Sequence, residues 1–281
     1  MKSPPQRERQ LSAAQPATAG IPDPVVEFEH VNVGYGATPV LIDMNFSVER
    51  GDFVSLLGPS GCGKSTCLNV TAGLLKVHSG AARFNGEPIV RTNTSTGYMT
   101  QDDTLLPWKN VRDNIALPLR IKRRPATEIR ERTNFYLELL DVAHAADKYP
   151  SQLSGGMKRR VLLARSMIYD PEILLMDEPF AALDAQMRAD LHVELRRMCN
   201  ELNQTVLFVT HDIGEAAVLS DRVIVVGGGP PSSVCANFDV GFGRHRDLEA
   251  IRYSQELREL EAELHAAVAG SGFHQSNRDD R

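Results

Sequence analysis

Long apolar runs are missing from this 281-residue sequence. None approaches the roughly 18 residues that a membrane-crossing helix requires. An excess of positive charge is missing too. The formal net charge is −5, so a broad basic surface for nucleic acid is not expected. Cysteine is scarce. Cys62, Cys67, Cys199 and Cys235 fit no metal or redox spacing. They are expected to be free thiols in a reducing cytoplasm. Lys2, Arg7 and Arg9 are followed by no apolar segment, so a secretory signal is not expected. The remaining composition, 42% apolar and 24% charged, is ordinary for a globular protein. The length suits one large α/β domain with appendages.

The most informative stretch is Gly58-Pro59-Ser60-Gly61-Cys62-Gly63-Lys64-Ser65-Thr66. Phe53 to Leu57 before it reads as a short buried strand, and Cys67 to Leu74 after it as a helix. A strand, a glycine loop with Lys-Ser and a helix make up a phosphate-binding P-loop. Glycines let the backbone curl and turn its N–H groups onto phosphate oxygens. The helix aims its positive end at the same anion. Lys64 adds a point charge for the β- and γ-phosphates, and the Ser65 hydroxyl can ligate Mg²⁺.

Residues 1–24, rich in Pro, Gln, Ala and Ser, read as a disordered tail. Val26, Phe28 and His30 then alternate with polar neighbours, and Val40 to Val48 forms a second β-like run. Between them, Tyr35 in a glycine-flanked loop can stack on a flat base or pack at a strand end; spacing leaves both open. Asn85-Gly86 predicts a hairpin turn. Gln101 sits where a strand-like run breaks into loop, and its amide could touch Mg²⁺ or a water, or simply face solvent. Residues 110–150 read as helical, with Thr127 a candidate cap and Pro118 a candidate bend or stop.

Ser154-Gly155-Gly156 opens a further helix. That is either a second anion-binding helix start or an ordinary N-cap. Ile173 to Met176 is a buried strand ending in Asp177-Glu178. Carboxylates there lie at the carboxyl edge of a parallel sheet, where the P-loop also sits. Asp177 can hold Mg²⁺, and Glu178 can take a proton from an attacking water. Ala181 to Asp184 leads into a helix of about 185–202. Thr205 to Thr210 is a buried strand ending at His211, which could bond a γ-phosphate oxygen or be structural. Asp221 to Val226 is expected to close the sheet. Gly227 to Pro231 reads as a break, and Leu248, Ile251, Leu257, Leu260 and Leu264 as one amphipathic helix. Ser271 to Arg281 reads as disordered.

Gly58 to Thr66, Gln101, Leu153 to Met157, Leu174 to Pro179, Ala182 to Asp184 and His211 together resemble the nucleotide-binding subunit of an ABC transporter. The resemblance covers about residues 25–227. It implies an α/β P-loop NTPase of the ABC type, with a RecA-like core, an N-terminal antiparallel β subdomain and a helical subdomain at about 102–165. Residues 228–281 would be a C-terminal extension. It also implies ATP and Mg²⁺ as cofactors. Tyr35 would stack on adenine, and Lys64 with the amides of Gly58 to Thr66 would grip the phosphates. Ser65, Gln101 and Asp177 would serve Mg²⁺. Glu178 would polarise the hydrolytic water and His211 hold the γ-phosphate. Ser154, Gly155 and Gly156 would reach the nucleotide of an opposite subunit, with Asp184 across the seam of a head-to-tail homodimer. Met157 departs from the family, which usually has Gln there; Ser154 and both glycines remain.

Fused membrane helices, tandem cassettes and a long inserted coiled coil mark other branches of the family. Here membrane helices are absent, each motif occurs once, and 51 residues separate Gln101 from Leu153. A separate importer ATPase is the expectation that remains. Leu105 to Trp108, Asn110-Val111 and Met157 to Val161 resemble the nitrate/sulfonate/taurine branch. The implied partners are a second ATPase subunit, integral-membrane permease subunits and, indirectly, a solute-binding protein, with no nucleic acid. The implied place is the cytoplasmic face of the inner membrane. Leu105, Leu106 and Trp108 are expected near the permease contact. The alternative is an ABC-type ATPase with a regulatory or assembly role and no transport.

Overall fold

The computed structural model describes residues 24–181 and 183–272. The expected tail at 1–24, apart from Pro24, and the end beyond Gly272 lie outside the described residues, as does Ala182. The chain opens with β1 (Val26–Tyr35) and β2 (Thr38–Val48). The P-loop strand β3 (Phe53–Leu57) and helix α1 (Lys64–Thr71) follow, then β4 (Ser79–Phe84), β5 (Glu87–Pro88) and β6 (Thr96–Met99). Three helices come next: α2 (Val111–Ile121), α3 (Ala126–Leu139) and α4 (Gly155–Met167). Beyond them lie β7 (Ile173–Asp177), α5 (Ala185–Glu201), β8 (Thr205–Thr210), α6 (Ile213–Leu219), β9 (Arg222–Gly227), β10 (Ser233–Asp239), α7 (Leu248–Ile251) and α8 (Gln255–Gly270).

Two sheets result. A four-stranded antiparallel sheet runs β2-β1-β4-β5, and a six-stranded sheet runs β10-β9-β3-β8-β7-β6. In the larger one, β9, β3, β8, β7 and β6 are all parallel. This is the expected α/β architecture: a parallel P-loop core, an antiparallel β subdomain and a helical subdomain. The parallel strands read as unbroken apolar runs because both faces are covered. Phe53 and Leu57 of β3, Leu174 and Met176 of β7 and Phe208 of β8 pack with the helical subdomain and the C-terminal helices. Val54, Leu56, Leu175 and Leu207, their alternate neighbours, pack with α1 and the antiparallel sheet.

Several local expectations change. His30 is exposed, whereas Val31 is buried. A bulge between Phe28 and Val31, with His30 at φ 50, moves the alternation by one residue. Pro125, not Thr127, precedes α3 at its N-cap; proline suits a helix start because its missing N–H costs no helical bond. Pro118 lies inside α2 without ending it. Leu105 is buried at 7% exposure while Trp108 is 70% exposed, so the apolar loop is divided between core and surface.

The largest correction lies at the C-terminus. The sheet does not close at Val226. Ser233–Asp239 adds an antiparallel edge strand after the Gly227 to Pro231 turn. The single amphipathic helix is two helices, separated at Tyr253-Ser254, with Ser254 capping the second through Leu257 N. Their apolar residues Leu248, Leu257 and Leu264 are buried in the main core. Ser271 is buried as well, and its carbonyl accepts from Gly228 N at 2.7 Å. Arg246 ties this segment down. Its side chain is fully buried, and it meets Asp221 together with Arg196.

Candidate functional site

The P-loop links β3 to α1 and is shaped by close approach. Gly58 lies against the backbone of β9: a Cβ there would come 2.2 Å from Val226 O. Gly63 is left-handed at φ 93, and a Cβ would press on Leu41 and Val40 of β2. Both positions therefore require glycine. Gly63 caps α1 without any side-chain hydrogen bond, so this helix start keeps polar N–H capacity that other helices spend on a cap. Pro59, Ser60 and Gly61 form the outer turn, Ser60 and Gly61 being exposed. Cys62 is buried, and burial pushes its thiol pKa up. It is a packing residue there, not a nucleophile. Thr66 is buried and its N–H donates to Gly63 O at 3.0 Å.

Lys64 is almost fully buried, so its charge must be answered locally. Its Nζ donates to the carbonyls of Gly58 and Pro59, both at 2.8 Å. Ser65 Oγ donates to Asp177 Oδ1 at 2.9 Å, joining the P-loop helix to the end of β7. Burial is the largest influence on Asp177 and raises its pKa. The Ser65 hydrogen bond lowers it, Glu178 raises it and Lys64 lowers it. A hydroxyl and a half-buried carboxylate are hard oxygen donors, the kind that Mg²⁺ takes. An adjacent cation would also relieve the burial of Asp177. The donor set fits the ion.

Glu178 follows at φ 41, a left-handed conformation rare for a non-glycine residue. Its N–H donates to Val209 O at 3.0 Å, which holds the turn against β8. Its side chain is 15% exposed, and Oε2 lies 3.0 Å from His211 Nδ1 at the end of β8. Backbone strain of this kind costs of order 1–3 kcal/mol and gathers at functional positions. The ends of β3, β7 and β8 thus bring Lys64, Ser65, Asp177, Glu178 and His211 together.

Other expected residues stand differently. Tyr35 is exposed at the end of β1, paired with Thr38 across the hairpin. Gln101 is exposed beyond β6, and the contact that fixes its backbone is a bond from Arg159 Nη2 to its carbonyl at 2.7 Å. Ser154 caps α4, accepting from Met157 N at 3.3 Å. Asp184 caps α5, accepting from Met187 N at 2.9 Å. Gly156 is buried beside Met187, whose sulfur would lie 2.6 Å from a Cβ there, and Gly155 faces Leu183. Ser154, Gly155 and Asp184 are exposed. Among the described residues, no hydrogen bond or ion pair joins this second group to the P-loop.

Sequence reasoning missed several polar residues near the site. Arg159 was visible only as one of three successive cations. Glu215 had a local signal, because Asp212 followed three residues later by Glu is a helix-start signature. The structure uses it: Glu215 N donates to Asp212 Oδ1 at 3.0 Å. Asn114 had none.

Comparison with known proteins gives the family. The family model described as ABC transporter matches residues 41–181. The nitrate import ATP-binding protein NrtD of Synechococcus elongatus is 42% identical over 219 residues, covering 76% of this chain and 80% of that protein. The sulfate/thiosulfate import ATP-binding protein CysA of Escherichia coli is 43% identical over 211 residues, covering 73% of this chain and 58% of CysA. The dimeric post-hydrolysis structure of the ATP-binding cassette MJ0796, bound to ADP and Pi, superposes with a TM-score of 0.67 at 29% identity, covering 76% of this chain and 98% of that one.

Proposed function

This chain belongs to the ABC transporter family and is an ABC-type ATPase, and we propose that it powers a membrane importer of a small anionic solute. The observation that carries the catalytic part is the Glu178–His211 contact of 3.0 Å, one residue along the chain from the Asp177–Ser65 bond. Base, phosphate ligand and cation ligand thereby share one sheet edge.

Each residue then has a chemical task. Lys64, with the N–H groups of the loop and of the α1 start, balances phosphate charge. Ser65, Asp177 and Gln101 would hold Mg²⁺, which neutralises phosphate charge when bound. Glu178 takes the proton of the attacking water through its carboxylate. His211 orients that carboxylate and bonds the γ-phosphate. Tyr35, exposed beside a hairpin turn, stacks on adenine. Ser154, Gly155, Gly156 and Asp184 complete the site of a second subunit. The exposure of Ser154, Gly155 and Asp184, and the lack of described bonds from this group to the chain's own P-loop, support that reading, as does the dimeric state of the MJ0796 cassette.

The permease docks beside the helical subdomain. Trp108, exposed in the loop after Gln101, is the residue in best position for that contact; Leu105 is spent on the core. No described helix is long and apolar enough to cross a membrane, so attachment to the cytoplasmic face of the inner membrane would run through partner subunits. NrtD and CysA carry nitrate and sulfate/thiosulfate in their names. All three solutes are small oxyanions, which supports an anion of that class, sulfonates included.

Glu178→Gln tests the mechanism. It should bind ATP, accumulate as an ATP-bound dimer and hydrolyse about 10²–10⁴-fold more slowly, the usual worth of a general base. Hydrolysis at the parental rate would overturn the assignment. Co-purification with integral-membrane subunits supports import, whereas a stable assembly with no membrane subunit would favour a regulatory or assembly role.

A further inference from the structure

A buried carboxylate outside the phosphate-binding set joins three of the segments that carry it. Glu215 on α6 accepts from Thr210 Oγ1 at 2.7 Å. The same Thr210 oxygen accepts from Asp212 N at 3.0 Å, and Asp212 Oδ1 accepts from Glu215 N at 3.0 Å. Both chain neighbours of His211 are therefore pinned to one residue.

Arg188 approaches from the other side. It lies one turn into α5, the helix that Asp184 caps. Its Nη1 donates to Asp212 Oδ2 at 3.2 Å and its Nη2 to Leu183 O at 3.1 Å. Its Nε faces Glu215 Oε1 at 3.7 Å. His192, one turn further along α5, puts Nε2 at 3.6 Å from the same oxygen. The His192 ring meets Phe180 edge-on at 5.0 Å between centroids, two residues beyond Glu178. From outside, Arg252 holds α5 through Ala189 O at 3.3 Å.

Among the described residues, Arg188 Nε and His192 Nε2 are both buried without a hydrogen-bond partner. Buried polar groups are costly to leave unmade. Both face one carboxylate oxygen just beyond hydrogen-bond range, so a sub-ångström shift of α5 toward α6 would satisfy them. That shift moves Asp184 and His211 together.

We propose that Arg188 and Glu215 are positioning residues: they clasp the Asp184 segment to the His211 segment and so set His211 against Glu178. This rests on the roles given to Glu178 and His211 above. The planar guanidinium matters as well as its charge, because Arg188 serves Asp212, Leu183 O and Glu215 from one fork. A lysine ammonium cannot span all three.

The test uses the full chain with Mg-ATP, measuring kcat, ATP affinity and the thermal midpoint. Arg188→Met and Glu215→Gln should each lower kcat about tenfold to a hundredfold, the scale of a small misplacement of catalytic groups. The ATP Kd should stay within about twofold and the folded state should persist, since neither residue touches the P-loop. Arg188→Lys should not restore kcat. The double variant should be no slower than the worse single one, as residues acting as one unit require. Parental kcat in Arg188→Met, rescue by Arg188→Lys, or additive losses in the double variant would each overturn the clasp. Should Glu215→Gln fail to fold, Arg188→Lys and Arg188→Met decide the matter alone. Glu178→Gln separates the two readings. If it is inactive while the Arg188 variants match the parent, only the clasp is wrong. If it hydrolyses at the parental rate, the role of Glu178 is wrong, and the assignment of His211 positioning falls with it.

Discussion

The P-loop and the Ser154–Gly156 segment are both glycine-bearing helix starts, and they differ in what their N–H groups do. At α1 the cap is Gly63, with no side-chain bond. At α4 the cap is Ser154, whose Oγ accepts from Met157 N at 3.3 Å. The first start is open to an anion, and charged side chains from two other strands converge on it. The second spends the Met157 N–H on one long bond within its own turn and lies beside Leu183 and Met187. Glycine in a loop is thus not one signal. An uncapped helix with a lysine beneath it is the fuller receptor for phosphate; a capped start has spent one of its N–H groups and keeps the rest. The difference is in keeping with the proposed division of the site into two unequal halves, one gripping nucleotide and one supplied to a second subunit.

The largest effect should come from the first half. Lys64→Ala removes a buried ammonium held by two carbonyls. Against bound phosphate, loss of one partner of a buried charge pair costs about 2–5 kcal/mol. ATP binding, followed by calorimetry, should fall accordingly and hydrolysis with it. Ser154→Arg should behave oppositely: ATP affinity of the single chain unchanged, hydrolysis lost. Mixing the two inactive proteins gives the sharpest contrast. A mixed pair would hold one site made of the intact P-loop and the intact serine segment, so activity should return. If mixing restores nothing, or if Ser154→Arg weakens ATP binding as Lys64→Ala does, the division into halves is wrong.

The two halves also differed in how legible they were from sequence. The P-loop, Asp177, Glu178 and His211 could be placed because each ends an unbroken apolar run, and a parallel sheet buried on both faces leaves that signature. Their convergence followed from topology. The strands of the antiparallel subdomain were legible, but not the three register shifts between β1 and β2, of which the bulge at His30 is the first. The C-terminal segment was not. Glycines and prolines at 227–231 read as a domain break, yet they turn the chain into β10. A turn between antiparallel strands and a linker use the same residues, and only the partner strand tells them apart. Leu248 and Leu264 share an apolar spacing, but Tyr253 and Ser254 interrupt the helix between them. Arg188 and His192 were invisible for another reason, and so were the distant partners of Glu215: long-range polar contacts leave no periodicity.

The smallest effect should separate the halves through their supports. The serine half is carried on the helical subdomain, and Asn114 organises the loop that enters it. This asparagine is fully buried on α2. Its Oδ1 accepts from Leu106 N at 2.8 Å, and its Nδ2 donates to Lys109 O at 2.9 Å and Asn110 O at 3.0 Å. One side chain thereby satisfies the loop that presents Trp108. Asn114→Ala leaves the Leu106 N–H and the Lys109 carbonyl without their side-chain partner, at a cost of about 1–3 kcal/mol. The urea midpoint should drop by that measure. Hydrolysis should fall modestly because α4 and its serine sit on the loosened subdomain, whereas ATP affinity should hold, since among the described residues no hydrogen bond or ion pair joins α2 to the P-loop. An ATP affinity that fell in step with the midpoint would mean that the nucleotide-gripping half depends on the helical subdomain after all.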